Sequence, residues 1–177
     1  MLNDELKDEL LSVKINHLNG YLVALSLINS YFPIGMRCKL FAFNFSGGDI
    51  EKCIQNNSYE LFYVYPNEYE IEIIKTNDWE AKLKNELNLS IQRRIPHGDI
   101  NSSDYIENKL VKDLFINIKF INEYFVDLIK YEFVREDIDV YEVKVKNVGA
   151  SYRLIGIDLI FEIEPTKILY LQILGND

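Results

Sequence analysis

Gly156-Ile157-Asp158-Leu159-Ile160-Phe161-Glu162-Ile163-Glu164-Pro165-Thr166-Lys167-Ile168-Leu169-Tyr170-Leu171-Gln172-Ile173-Leu174 is the stretch that decides the fold class. Alternation places Arg153, Ile155, Ile157, Leu159, Phe161 and Ile163 on one side of a strand. Tyr152, Leu154, Gly156, Asp158, Ile160 and Glu162 fall on the other. Pro165-Thr166 makes a tight turn into a last strand, Lys167 to Leu174. Upstream, Tyr141, Val143 and Val145 alternate with Glu142, Lys144 and Lys146 before a Gly-containing turn at Asn147 to Ser151. The C-terminal third is therefore expected to be a β-meander.

The meander needs an apolar partner, and the segment before it supplies one. Asp104 with Glu107 forms a capping box, after which Val111, Leu114, Ile118, Ile121, Phe125 and Leu128 recur at gaps of three and four. This predicts a long amphipathic helix from about Tyr105 to about Lys130. Further upstream, Asn77 with Glu80 gives a second start signal for a short helix bearing Trp79, Leu83 and Leu87 on one face. Tyr59 to Tyr65 and Glu68 to Lys75 look like two strands of a hairpin divided by Pro66-Asn67. Asp49 is placed to cap a short helix with Ile50, Cys53 and Ile54, and Arg37 to Phe45 is β-type, ending at Gly47-Gly48. Asn3 to Lys14 and the run from Leu18 to Phe32, stopped by Pro33, are expected to be two helices. Helices and strands cluster instead of alternating, so the class is α+β: one domain over residues 1–177 with a largely antiparallel sheet.

Composition bounds what such a domain does. The 177 residues are 48% hydrophobic and 13% aromatic, enough for a substantial core. Nineteen basic against 28 acidic side chains leave a net charge of −9 and a pI near 4.8. That surface argues against nucleic acid and anionic membranes as partners. No long apolar run and no basic-then-apolar start is present, which points to the cytoplasm. Cys38 and Cys53 lie apart, outside any CxxC pair, and read as buried free thiols; no metal or cofactor is expected.

Three places hold possible chemistry. Glu68, Glu70 and Glu72 alternate with Tyr69, Ile71 and Ile73, so a strand would carry a row of carboxylates ~6.6 Å apart. The row is either the wet face of a sheet or a recognition surface that something basic compensates. Asp158, Glu162 and Glu164 form a second acidic group, with Glu136, Asp137, Asp139 and Glu142 nearby in sequence. Asp158 interrupts an apolar run and is expected to be half-buried, paired to a donor or poised for acid–base work. The loop Arg93-Arg94-Ile95-Pro96-His97-Gly98-Asp99 gathers a His, two Arg and an Asp, either as an exposed loop or as a phosphate-directed acid–base site. Walker-type, GxGxxG, HExxH, GxSxG and EF-hand patterns are absent.

Two functional classes result: a binding protein offering an acidic, Tyr-bearing face to a basic partner, and a small hydrolase using His97 or Asp158 as acid/base. In overall character, an acidic α+β chain rich in Asn, Ile and Tyr with strands such as Gly156 to Glu162, the sequence resembles bacterial immunity proteins of contact-dependent growth inhibition and other polymorphic toxin systems. The resemblance implies stoichiometric, non-enzymatic neutralisation of a nuclease-type toxin. Glu68, Glu70, Glu72, Asp158, Glu162 and Glu164 are then the expected partner-binding residues.

Overall fold

The computed structural model describes residues 4–30, 35–45, 49–63, 65, 68–92, 105–133, 138–146 and 155–176. Its frame is the expected C-terminal meander: β3 (Asp139–Lys146), β4 (Ile155–Glu164) and β5 (Lys167–Asn176), each antiparallel to the next. β1 (Gly35–Asn44) adds antiparallel to the outer edge of β5, and β2 (Glu70–Lys75) to the outer edge of β3. The sheet order is β1-β5-β4-β3-β2. At Gly156, φ is 148° and a Cβ would lie 1.9 Å from the Ile173 carbonyl oxygen, so the close approach of β4 to β5 there requires glycine.

Both faces of the sheet are buried. One face is built by alternate residues such as Leu40, Val140, Ile157, Leu159, Phe161, Leu169 and Leu171. It is covered by α1 (Asp4–Ser30), α4 (Trp79–Gln92) and α5 (Tyr105–Phe133). Leu18, Leu22 and Leu25 of α1, Leu83 and Leu87 of α4, and Phe125, Val126 and Ile129 of α5 enter one apolar cluster, where Trp79 meets Phe161 edge-to-face at 5.1 Å. The other face carries Phe41, Val143, Ile160, Ile168 and Tyr170 and is covered by α2 (Ile50–Asn56) and α3 (Ser58–Phe62). None of the described helices is long and apolar enough to cross a membrane.

Local signals account for most elements. Asp49 caps α2, its Oδ1 accepting from Lys52 N at 3.0 Å. The long helix spans the expected range and ends one turn later, at Phe133; Ile121, Phe125 and Leu128 pack inward, whereas the side chains of Val111, Leu114 and Ile118 lie outside the described residues. α4 begins one residue later than Asn77 implies: the carbonyl of Asp78 accepts the first helical bond, from Lys82 N. The turn segments at Pro33, Gly47-Gly48, Pro66-Asn67 and Asn147 to Ser151 also lie outside the described residues.

Two expectations are corrected. The two N-terminal helices are one: α1 runs unbroken through Asn16 and His17, which sit on its exposed side and interrupt only the apolar pattern. The Asn19 carboxamide ties it to β1, accepting from Leu40 N and donating to Leu40 O, both at 2.9 Å, which occupies backbone groups of an edge strand. The hairpin does not form, because Tyr59 to Phe62 is helical. Ser58, Leu61 and Phe62 are buried at i, i+3 and i+4 while Tyr59 and Tyr63 face outward, a helical period hidden by β-favouring composition. β2 pairs instead with β3.

Candidate functional site

The carboxylate row of β2 meets its compensation inside the sheet. The register sets Glu70 opposite Lys146 and Glu72 opposite Lys144, so an acidic strand face lies against a basic one. Lys146 Nζ stands 3.0 Å from Glu72 Oε2, and this hydrogen bond, ahead of the charge attraction, holds the Glu72 carboxyl below its ordinary value. Glu68 lies before the strand and accepts from Tyr65 N through Oε2 at 2.8 Å.

Asp158, Glu162 and Glu164 are placed elsewhere. Asp158 is fully buried instead of half-buried, opposite Gln172 on the sheet face beneath α3. No partner surface can reach it, because the α3 layer closes over it: Gln172, equally buried, donates from Nε2 to the Leu61 carbonyl at 3.0 Å. Glu162 and Asp139 share the Tyr141 hydroxyl, each at 3.4 Å. Burial first, and then these two carboxylates, push the Tyr141 phenol up. Glu164 pairs with Lys167 at 3.6 Å, and Lys167 also contacts Asp8 of α1. Glu72 is directly opposite Lys144, which alternates with Glu142 facing Lys82 of α4, whereas Glu162 is directly opposite Ile168 in the α2/α3 layer. Glu70 and Glu72 thus share one face of the sheet and Asp158 and Glu162 the other, Glu164 lies past a register shift opposite Lys167, and the six expected residues do not form one surface.

The Arg93–Asp99 loop with His97, and also Glu136 and Asp137, lie outside the described residues. Among the described residues no group of three or more His, Cys, Asp or Glu could hold a metal ion. Cys38 and Cys53 are both buried and not joined in a disulfide, and burial pushes the Cys53 thiol up.

The structure does bring together a group that sequence reasoning missed. Tyr59, Tyr63 and Tyr65 are each 57–61% exposed, with ring centroids 6.4 Å apart for Tyr59–Tyr63 and 5.7 Å for Tyr59–Tyr65. Tyr59 and Tyr63 are helical neighbours at i and i+4; Tyr63 then adopts the left-handed conformation (φ 58°, ψ 24°), reversing the chain so that Tyr65 returns beside Tyr59. A left-handed backbone costs an L-residue about 1–2 kcal/mol, and Tyr63 is the one non-glycine with positive φ among the described residues. The Arg37 guanidinium from β1 lies 4.7 Å from the Tyr63 ring centroid, and Glu60, at the same helix, is 3.9 Å from Lys39. Phe62 anchors the shelf from below, edge-to-face with Tyr69 at 5.1 Å and Tyr170 at 6.3 Å. The i, i+4 tyrosine spacing was the available signal; the aromatic density that suggested a strand concealed it.

No protein-family model, curated protein or solved structure matches this chain.

Proposed function

We propose that this chain is a non-enzymatic binding protein that presents a tyrosine-bearing surface, in an acidic field, to a basic protein partner. In the manner of the immunity proteins it resembles, it acts in the cytoplasm as a stoichiometric inhibitor of a nuclease-type bacterial toxin. The observation that carries this reading is the Tyr59–Tyr63–Tyr65 shelf. Three rigid, amphipathic rings stand exposed next to one another, one of them on a strained backbone, in the kind of arrangement that supplies binding hot spots. Glu60 and Glu68 border the shelf together with Arg37 and Lys39, so its immediate rim is of mixed charge, and it is the net charge of −9 of the whole chain that favours fast encounter with a basic surface.

The partner to test is a large secreted protein with a basic C-terminal domain, sought first among the products of the genes adjacent to this one. Titration calorimetry of that domain with the purified chain should give one-to-one binding, loss of its nuclease activity at equivalence, and affinity that falls as salt rises. Absence of binding defeats the reading. Turnover of nucleic acid or phosphoesters by the chain alone, lost in His97→Ala or Asp158→Asn, would replace it with the hydrolase.

A further inference from the structure

The outward side of α1 carries a second apolar pattern that the monomer does not use. Leu10, Val13, His17, Gly20, Ala24 and Leu27 recur at gaps of 3, 4, 3, 4 and 3, which is the heptad spacing of a helix–helix seam. All six are exposed, Leu10 at 49%, Val13 at 60% and Leu27 at 62%. They lie on the side of the helix away from Leu18, Leu22 and Leu25, which face the sheet. Over Gly20 there is open space, with nothing within 4 Å of where a Cβ would stand. A monomeric surface gains nothing from keeping large aliphatic groups in register along about 26 Å of helix at 1.5 Å per residue.

We infer that this stripe is the seam of a homodimer, in which α1 of a second copy packs antiparallel against it. The stripe is self-complementary about its midpoint. Antiparallel pairing sets Leu10 against Leu27 of the second copy at each end, and between them Val13 against Ala24 and His17 against Gly20, so that the two inner pairs match a larger side chain with a small one and both copies make the same contacts. Charge selects the same orientation. Asp4, Glu5, Asp8 and Glu9 crowd the start of α1, while Ile15 to Ser30 contains no Asp, Glu, Lys or Arg. A parallel pair would align the two acidic ends, whereas an antiparallel pair lays each beside the uncharged half of the other and sets opposite helix-dipole ends together. A seam one helix wide is at the small end of specific interfaces, so the dimer is expected to exchange with monomer. α1 covers the sheet face opposite α3, and dimerisation leaves both tyrosine shelves open; the inference is therefore independent of the proposed function.

Sedimentation equilibrium of the 177-residue chain from about 1 μM to about 1 mM is the test. The expected mass rises with concentration from 20.8 kDa toward twice that value. Val13→Glu, at an exposed position, should hold the mass at the monomer with an unchanged circular dichroism spectrum, because two carboxylates would enter the seam. Val13→Glu combined with Ala24→Lys should restore the dimer, since only the antiparallel register sets each new carboxylate against a new ammonium. A wild-type chain that stays monomeric throughout, a Val13→Glu chain that still dimerises, or a double variant that is not restored would each overturn the inference.

Discussion

The two faces of one sheet are covered by helices of different character. On one side, α1, α4 and α5, of 27, 14 and 29 residues, bury an almost wholly aliphatic and aromatic cluster. On the other, α2 and α3 have seven and five residues and enclose Asp158, Gln172, Ser58 and Cys53 together with the rings of Phe62 and Tyr170. Helices that short are not stable alone and hold their shape through what they touch. The long-helix face therefore supplies the stability of the domain. The short-helix face uses part of that stability to keep buried polar groups and a left-handed Tyr63 in place, and it is this face that exposes the tyrosine shelf.

Truncation in the long-helix face should have the largest effect. Phe161→Ala removes a fully buried ring packed on Trp79 and is expected to destabilise by about 3–5 kcal/mol in urea or guanidinium unfolding. A loss under about 1 kcal/mol would mean that this face is not the stabilising one.

Gln172→Leu probes the other layer. It leaves the Leu61 carbonyl without its donor and should cost about 1–3 kcal/mol. Amide exchange should show the loss concentrated in α2 and α3, with protection in α4 and α5 nearly unchanged. A uniform loss of protection would erase the distinction between the two layers.

Tyr63→Gly sharpens it further. Glycine relieves the left-handed strain but adds chain entropy and gives up the ring contacts with Tyr59 and Arg37, so these terms offset and stability should change by no more than about 1 kcal/mol. Partner affinity should nevertheless fall more than about tenfold, or about 1.4 kcal/mol. Unchanged affinity would remove the shelf from the interface. Glu70→Lys with Glu72→Lys, on the opposite sheet face, is the control: it should slow association modestly at low salt and leave dissociation unchanged.

The smallest effect is expected for Glu72→Gln. Lys146 lowers the Glu72 carboxyl pKa in the folded chain, so the contribution of this pair is present above the ordinary carboxylate pKa and disappears as pH falls through the lowered one. The variant should be slightly less stable than the parent near neutrality and indistinguishable from it in strong acid. A difference that persists in acid would show that packing, not ionisation, is responsible.

Periodicity strong enough to survive any context was legible in the sequence. The alternation of Ile157, Leu159 and Phe161, the three-four spacing of Ile121, Phe125 and Leu128, and the Asp49 cap are local patterns that mark an element without reference to its tertiary partners. Together they determined the α+β class, the antiparallel meander and the long helix packed with it. Tertiary structure decided what depends on partners distant in the chain. Tyr59 to Phe62 became helical because Leu61 and Phe62 are drawn into the sheet face beside Gln172 and Tyr170, against a composition that favours strands. The acidic row found its counter-charges on β3, over seventy residues away, and Asp158 was sealed by a layer whose position no local pattern encodes. Register and layer order set which charges meet, and they are fixed only when the whole sheet closes its two cores.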